Sequence, residues 1–335
     1  MSAPPPLGPE ALASAVLAPW RARLRDLDGV DAPVVVACSG GPDSLALLAL
    51  AVDAGLAPIA VHVDHGLRAG SEAEAALVAR AAERLGAGFH SERVTVEAGA
   101  NLEARARDAR YEALERARDA LGATVVLVGH TADDQAETVL LNLLRGSATA
   151  GLGGMPGRRG HIVRPLLALR RVDTSEVCVR VDLSPFEDPM NADLGFRRVR
   201  LRREIIPALE RAAGRDLVAL LARQADVLRA ESDFLDGLAR AAWPPGDGTA
   251  PAASLAAMSV VLARRAVRCW LGPPPPSLDE VDRVLAVARG EARATELGGR
   301  RVRRSRGQLH AEPPGPVVRR SEAEPCSDER DGGAE

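Results

Sequence analysis

The sequence predicts an α/β fold, a doubly wound parallel sheet with a smaller, mainly helical C-terminal domain. Three observations predict it. Short β-rich runs, Val34 to Ala37, Pro58 to Asp64, Phe89 to Val96 and Thr124 to Val128, alternate with segments of helical periodicity, the rhythm of strands joined by crossover helices. Three of these runs lead directly into polar clusters, Ser39 to Ser44, Asp64 to Arg68 and His130 to Glu137. Beyond residue 212 the alternation gives way to stretches of helical spacing. Parallel sheets bind ligands at the carboxyl ends of their strands, so the three clusters are expected to meet in one crevice.

Residues 1–30 read as an N-terminal extension, a proline-rich start followed by a short helix from Ala11 to Leu27. Val34-Val35-Val36-Ala37 then runs through Cys38-Ser39-Gly40-Gly41-Pro42-Asp43-Ser44 into the apolar segment Leu45 to Val52, which reads as strand, tight turn and helix. Small residues let an anion reach the backbone, glycine reaches positive φ so that successive N–H groups can converge, and Pro42 pre-sets the first helical turn. The helix N-terminus adds partial positive charge. The stretch is therefore a phosphate cradle. It is not a Walker A loop, since the chain contains no lysine, and it lacks the Gly-x-Gly-x-x-Gly dinucleotide pattern.

The strand Pro58 to Asp64 carries His62 and ends in His65-Gly66-Leu67-Arg68, after which Ser71, Glu72 and Glu74 open a helix to Leu85. Asn101 caps a helix from Leu102 to Leu121 that bears Arg105, Arg107 and Arg110. The strand Thr124 to Val128 ends in Gly129-His130, and a helix from about Asp133 places Asp134 and Glu137 three residues apart on one face. Acidic residues favour a helix start in their own right. Pointed into a crevice, the same carboxylates, with Asp43, can hold Mg²⁺ or face an ammonium group. Arg145 to Met155 is too glycine-rich for a helix or strand and reads as a mobile loop beside the site, and His161 to Leu167 reads as a last edge strand.

Phe196 to Pro207 is the densest basic stretch; Arg198 and Arg202 within it suit phosphate contacts or a solvated helix face. A long helix from Ala212 to Arg240, helices Ser254 to Leu271 and Ser277 to Arg289, and an arginine-rich segment from Leu297 to His310 that reads as a hairpin complete the order. Five arginines in that segment, Arg300, Arg301, Arg303, Arg304 and Arg306, suit an RNA backbone or a merely arginine-rich surface. The domains expected are thus a nucleotide-binding catalytic domain over 31–212, a mainly helical RNA-binding domain over 213–310 and a disordered tail over 311–335.

Composition narrows the function. Net charge is −3 with a pI near 6.1, so nucleic-acid contact has to come from local arginine clusters. Aromatic residues make up only 2%, leaving Ala, Val and Leu to build the core. The four cysteines, Cys38, Cys178, Cys269 and Cys326, form no C-x-x-C pair, which argues against a zinc knuckle or disulfide framework and for a reduced, cytoplasmic setting. No apolar run approaches the ~20 residues needed to span a bilayer.

The set Ser39-Gly40-Gly41-Pro42-Asp43-Ser44, His62 to Arg68, Asp134-Gln135-Ala136-Glu137-Thr138, Gly151-Leu152-x-Gly154-Met155, Arg164-Pro165-Leu166-Leu167 and Glu187-Asp188-Pro189-Met190-Asn191 resembles the tRNA(Ile)-lysidine synthetase family of the PP-loop ATP pyrophosphatase superfamily, in order and spacing from about residue 33 to 207. The resemblance implies a ligase that uses ATP with Mg²⁺ to adenylate the wobble cytidine of a CAU-anticodon tRNA(Ile). Free L-lysine then displaces AMP to give lysidine. It places the nucleotide on Ser39, Gly40, Gly41, Pro42, Asp43, Ser44 and His62, and chemistry on Asp43, Asp134, Glu137, Arg110 and His130, with Asp43 and Asp134 as metal ligands. Arg198, Arg202, Arg68 and Asn191 are the expected tRNA contacts. Val199 stands where the family pattern has asparagine, and Met190 where serine is common. A homodimer is compatible with this reading and a membrane partner is not. Two alternatives stay open: a PP-loop tRNA-cytidine thiolase, disfavoured by the absent C-x-x-C pair, and a non-catalytic nucleotide sensor.

Overall fold

The computed structural model describes residues 32–64, 66, 71–95, 102–186, 193–243, 249–272 and 275–312. The expected helix Ala11 to Leu27, the residues His65, Arg68, Asn101 and Asn191, and the tail beyond Glu312 lie outside them. The chain divides into two units, residues 1–230 and 231–335.

The first unit is built on a six-stranded sheet of β1 (Val34–Ala37), β2 (Pro58–Asp64), β3 (Gly88–Arg93), β4 (Val126–Val128), β5 (Arg158–Arg159) and β6 (Ile162–Val163), ordered β3-β2-β1-β4-β6-β5. All pairings are parallel except the terminal β5–β6 pair. The edge strand is therefore β5, not the segment His161 to Leu167, which contributes two residues to an inner strand and then turns into 3₁₀ helix over Pro165–Ala168. Pro165 explains the switch: it lacks the N–H a strand ladder needs and fixes φ for a helical turn.

Alternate residues of β1 feed the two sides of the sheet, as a strand of period two must. Val34 and Val36 pack with Leu45, Leu47, Leu48 and Leu50 of α1 (Pro42–Asp53), Val78 of α2 (Ser71–Leu85) and Val177 of α6 (Arg171–Arg180). Val35 and Ala37 pack with Leu114 and Ala117 of α3 (Leu102–Ala120). Helices on both faces make the sheet doubly wound. With β2 on one side of β1 and β4 on the other, the strand order reverses at β1, and the crevice lies at the carboxyl ends of β1 and β4.

Next come α4 (Ala132–Leu144), a single turn α5 (Thr149–Leu152), a short α7 (Arg197–Arg200), a π-helical turn over Leu201–Ile205, α8 (Ile206–Ala213) and α9 (Leu217–Ala242). The division at residue 230 falls inside α9, later than the expected boundary at 212. The physical reason is packing: Val218, Leu221 and Ala222 at the start of α9 bury against Ala132, Ala136 and Leu140 of α4.

The second unit is mainly helical. It holds the end of α9, α10 (Ala252–Ala257), α11 (Val260–Leu271) and α12 (Leu278–Arg289), and an antiparallel sheet ordered β7-β10-β9-β8 from β7 (Thr249–Pro251), β8 (Ala294–Leu297), β9 (Arg300–Ser305) and β10 (Gln308–Glu312). The segment read as one helix from Ser254 to Leu271 is two, broken at Met258 and Ser259. The hairpin is present as β9–β10 and reaches Glu312, so Ala311 and Glu312 belong to the sheet and not to a tail. Trp243, Leu255, Val267, Val284, Val302 and Leu309 form the core. Three arginines of the hairpin have partners: Arg300 donates to the carbonyl of Leu271 and Arg304 to that of Ala288, at the ends of α11 and α12, while Arg303 pairs with Glu312. Helix C-termini carry partial negative charge that such cations satisfy.

Candidate active site

At the end of β1 the chain turns through Ser39, Gly40 and Gly41 into α1. Gly40 has φ +84°, which only glycine adopts freely, and its carbonyl accepts from the Phe186 N–H at 2.8 Å. Ser44 Oγ receives the Ser39 N–H at 3.2 Å and donates to the Gly41 carbonyl at 2.9 Å, pinning the two ends of the turn together. The first N–H groups of α1 have no intrahelical acceptor, so the turn presents donors to an anion. His62, 3% exposed on β2, supports the loop from below through Nδ1 and the Cys38 carbonyl at 3.0 Å. Gly129, closing β4, lets the start of α1 approach: a Cβ there would lie 2.8 Å from the Asp43 carbonyl oxygen.

The carboxylates come from two helix starts. Asp43 opens α1, and Asp134 and Glu137 lie on the first turns of α4. Asp134 Oδ2 caps its own helix by accepting from the Thr131 N–H at 2.9 Å, which leaves Oδ1 for the crevice. A residue absent from the sequence-based expectations lies between them. Arg171, the first residue of α6, donates from Nε to Asp43 at 3.2 Å and from Nη2 to Asp134 at 2.7 Å, and its Nη1 stands 3.7 Å from Glu137. Thr174, one turn on, donates to the other oxygen of Asp43. Asp133 holds the start of α6 by accepting the Arg171 N–H at 2.8 Å.

Arg198 and Arg202, expected on phosphates, pair with Glu137 while keeping 35% and 30% of their side chains exposed. Arg202 Nε donates to Glu137 Oε1 at 2.7 Å, and Arg198 Nη1 lies 3.7 Å from Oε2. The cause is the buried charge of Glu137, whose side chain is 1% exposed. Its Oε2 has no hydrogen-bond partner. Burial pushes the carboxyls of Asp43 and Glu137 above the usual range against the pull of Arg171 and Arg202 respectively. Burial acts on Asp134 in the same direction, but Arg171, His130, the Thr131 N–H and Arg202 outweigh it and hold that carboxyl low. The three acids in turn raise Arg171.

On the opposite rim, His130 follows β4. Arg164 donates from Nε to His130 Nδ1 at 3.2 Å, so the ring is neutral with Nε2 as its donor. Burial, with Arg164, Arg110 and Arg107 opposed by Asp134, lowers its pKa to about 3. Arg110 is half-buried near Cys38 with no carboxylate partner among the described residues, and burial lowers its pKa. Cys38, buried, is pushed up to about 12 and so stays a neutral thiol.

Asp43 and Asp134, expected to hold Mg²⁺, do not fit a metal as placed. Thr174, Thr131 and Arg171 take the oxygens of both, and no group of three metal-ligating side chains converges among the described residues. The cation between these carboxylates is a guanidinium. The glycine-rich segment Arg145 to Met155 is likewise not loose. The Gln135 amide donates to and accepts from the Met155 backbone at 3.0 and 2.7 Å, Asn142 donates to Gly151, and Arg229 donates to the carbonyls of Gly153 and Gly154.

Residues 22–209 match the PP-loop domain family. The tRNA(Ile)-lysidine synthase of Nocardia farcinica is 43% identical over 282 residues, covering 82% of this chain and 88% of that protein. That of Thermobifida fusca is 41% identical over 327 residues, covering 92% and 98%. This chain belongs to the tRNA(Ile)-lysidine synthase family. It is accordingly an ATP-using, tRNA-modifying ligase that forms a carbon–nitrogen bond. Among solved structures, the U34-tRNA thiolase NcsA from Methanococcus maripaludis, with its [4Fe-4S] cluster, superposes with a TM-score of 0.54 at 19% identity, covering 66% of this chain and 80% of that one, a likeness of fold. Around the crevice, Arg171 and Thr174 join the carboxylates that the sequence singled out, and Arg198 and Arg202 pair with Glu137. No helix among the described residues is long and apolar enough to cross a membrane.

Proposed function

We propose that the crevice adenylates the C2 carbonyl oxygen of the wobble cytidine in a CAU-anticodon tRNA(Ile) and then passes that carbon to the ε-amine of free L-lysine, with pyrophosphate and AMP leaving in turn, in the cytoplasm. The observation that carries this reading is the convergence, at one strand-order reversal, of an anion cradle with three carboxylates gathered around the guanidinium of Arg171. Adenylation builds negative charge on phosphorus and on the departing pyrophosphate. The N–H groups at the Ser39–Ser44 turn receive the phosphates, and Arg110, desolvated and without a carboxylate of its own among the described residues, supplies a planar fork for their oxygens. His130 acts as a neutral donor through Nε2, because Arg164 already occupies Nδ1. Mg²⁺ is expected with ATP, but this site as placed offers it no ligand set, and the steps above do not run through it.

Lysine attack needs an uncharged amine and somewhere for its proton to go. Glu137 suits both needs: Oε2 is buried without a donor, a state that buried oxygens seldom keep, and its carboxyl is raised, so it accepts the ammonium and then its proton. A thiolase reading finds no support in the cysteines, since the thiols of Cys38 and Cys178 are both held neutral by burial. The deciding experiment incubates the protein with unmodified CAU-anticodon tRNA(Ile), ATP, Mg²⁺ and radiolabelled lysine, beside a methionine tRNA control. Label confined to the isoleucine tRNA and abolished by Asp43→Ala supports the reading. Pyrophosphate release without label shows that the nucleophile is not lysine.

A further inference from the structure

The turns that send Arg198 and Arg202 in to Glu137 leave five other arginines on the surface: Arg197, Arg200, Arg203, Arg211 and Arg215 are all exposed within 19 residues. None of the five is ion-paired among the described residues. Some exposed arginines elsewhere in the same unit meet acids, as Arg84 meets Asp182 at 2.7 Å and Arg180 pairs with Glu176, while others, Arg107, Arg145 and Arg158 among them, are ion-paired with no acid among the described residues and are not gathered in so dense a run. The acids nearby do little to neutralise the stretch. Asp216 is taken by Arg170, and residues 197–215 hold seven arginines against two acids, Glu204 and Glu210. An open concavity of about 530 Å³ is lined by Arg170, Pro207, Glu210, Arg211, Arg215 and Asp216. Arg170 in its wall is held at once by Asp216 and by Asp133 of the catalytic crevice.

Unneutralised arginines on a chain of net charge −3 are a local device, since the protein as a whole repels a polyanion. We propose that the exposed face of residues 197–215, with the Arg211–Arg215 concavity at its centre, is the surface on which the sugar-phosphate backbone of the substrate tRNA docks. This rests on the reading of tRNA as the substrate. Each phosphate neutralised releases counterions, so contacts register in the salt dependence of affinity. The face positions the RNA and carries no sequence information, whereas the crevice selects the base.

The test measures tRNA affinity of the full chain against salt concentration for wild type, R211Q/R215Q, R197Q/R203Q and the charge-matched control R84Q/R180Q. Losing two phosphate contacts lowers the slope of log affinity against log salt by roughly 1.5 to 2, and the control leaves it unchanged. ATP binding by the protein alone stays the same in all four. If both arginine pairs keep the wild-type slope, the surface is overturned and its arginines serve another partner, an acidic protein among them. If the wild type itself fails to bind tRNA, the substrate reading falls instead, and the two failures are distinct.

Discussion

Arg171 reaches three acids with one guanidinium, and this makes it the residue on which the others depend. Breaking a largely buried ion pair from one side strands the opposite charge, so Arg171→Met is expected to destabilise the first unit by about 3 kcal/mol in urea unfolding, with Arg171→Lys intermediate because a point charge cannot serve three partners. Glu137→Gln keeps the shape but removes the proton acceptor. Lysine incorporation is expected to fall by roughly 10²-fold or more while tRNA-dependent pyrophosphate release persists. A parallel loss of both would show that Glu137 serves adenylation. His130 gives the pH prediction. Its folded pKa, about 3, lies below the ~6.5 of an unfolded histidine, so the unfolded chain binds the extra proton between those values. Its contribution to stability is complete above pH 6.5 and is lost as pH falls toward 3. His130→Gln is therefore expected to flatten the decline of Tm between pH 6.5 and 4.5, and an unchanged decline would place the titration elsewhere. The aspartates and glutamate of this site were legible in the sequence because each sits in a local pattern. Arg171 and Thr174 were not, since they meet Asp43 across 128 and 131 residues, a pairing set by helix packing alone.

At the scale of elements, the crevice depends on how closely one helix start approaches one strand end. Gly129→Ala would place a methyl 2.8 Å from the Asp43 carbonyl oxygen, and backbone atoms cannot step aside as a flexible side chain would. Overpacking of this kind costs about 1–3 kcal/mol, here borne by the position of α1. The expected outcome is a folded protein with a five- to hundredfold weaker grip on ATP, read by equilibrium binding, a range of roughly 1 to 3 kcal/mol. Normal ATP affinity would mean that the approach is not needed. The strands, the Ser39–Ser44 turn and the helices after them were readable because β-branched runs, glycines and caps act within a few residues. The glycine-rich segment misled for the converse reason. Composition predicts neither helix nor strand over Arg145 to Met155, yet the segment holds the single turn α5, and its order comes from Gln135, Asn142 and Arg229, which no local pattern assigns to it. The pairing of Arg198 and Arg202 with Glu137 was not legible either: a charge run predicts basic surface, and only the burial of Glu137 decides which arginines pair with it.

At the scale of the whole molecule, the described residues of each unit have hydrophobic clusters of their own, those of the first on both sides of its largely parallel sheet and between α4 and α9, that of the second against its antiparallel sheet. Every residue assigned here to ATP lies in the first unit, residues 1–230. The arginine-rich hairpin, a candidate RNA grip in the sequence, has given Arg300 and Arg304 to helix ends and Arg303 to Glu312, so its first employment is structural. This separation is testable through the second core. Leu309, fully buried on β10 between Ala250 and Arg304, loses its packing in Leu309→Ala at a cost of about 2–5 kcal/mol. Trp243 and Trp270 meet edge to face in the same core at 5.4 Å and so report its melting by fluorescence. Their transition is expected to shift to lower urea while ATP affinity in the absence of denaturant stays at the wild-type value. A matching fall in ATP affinity would show instead that the second core sustains the crevice, with α9, the helix shared by both units, as the route by which it does so.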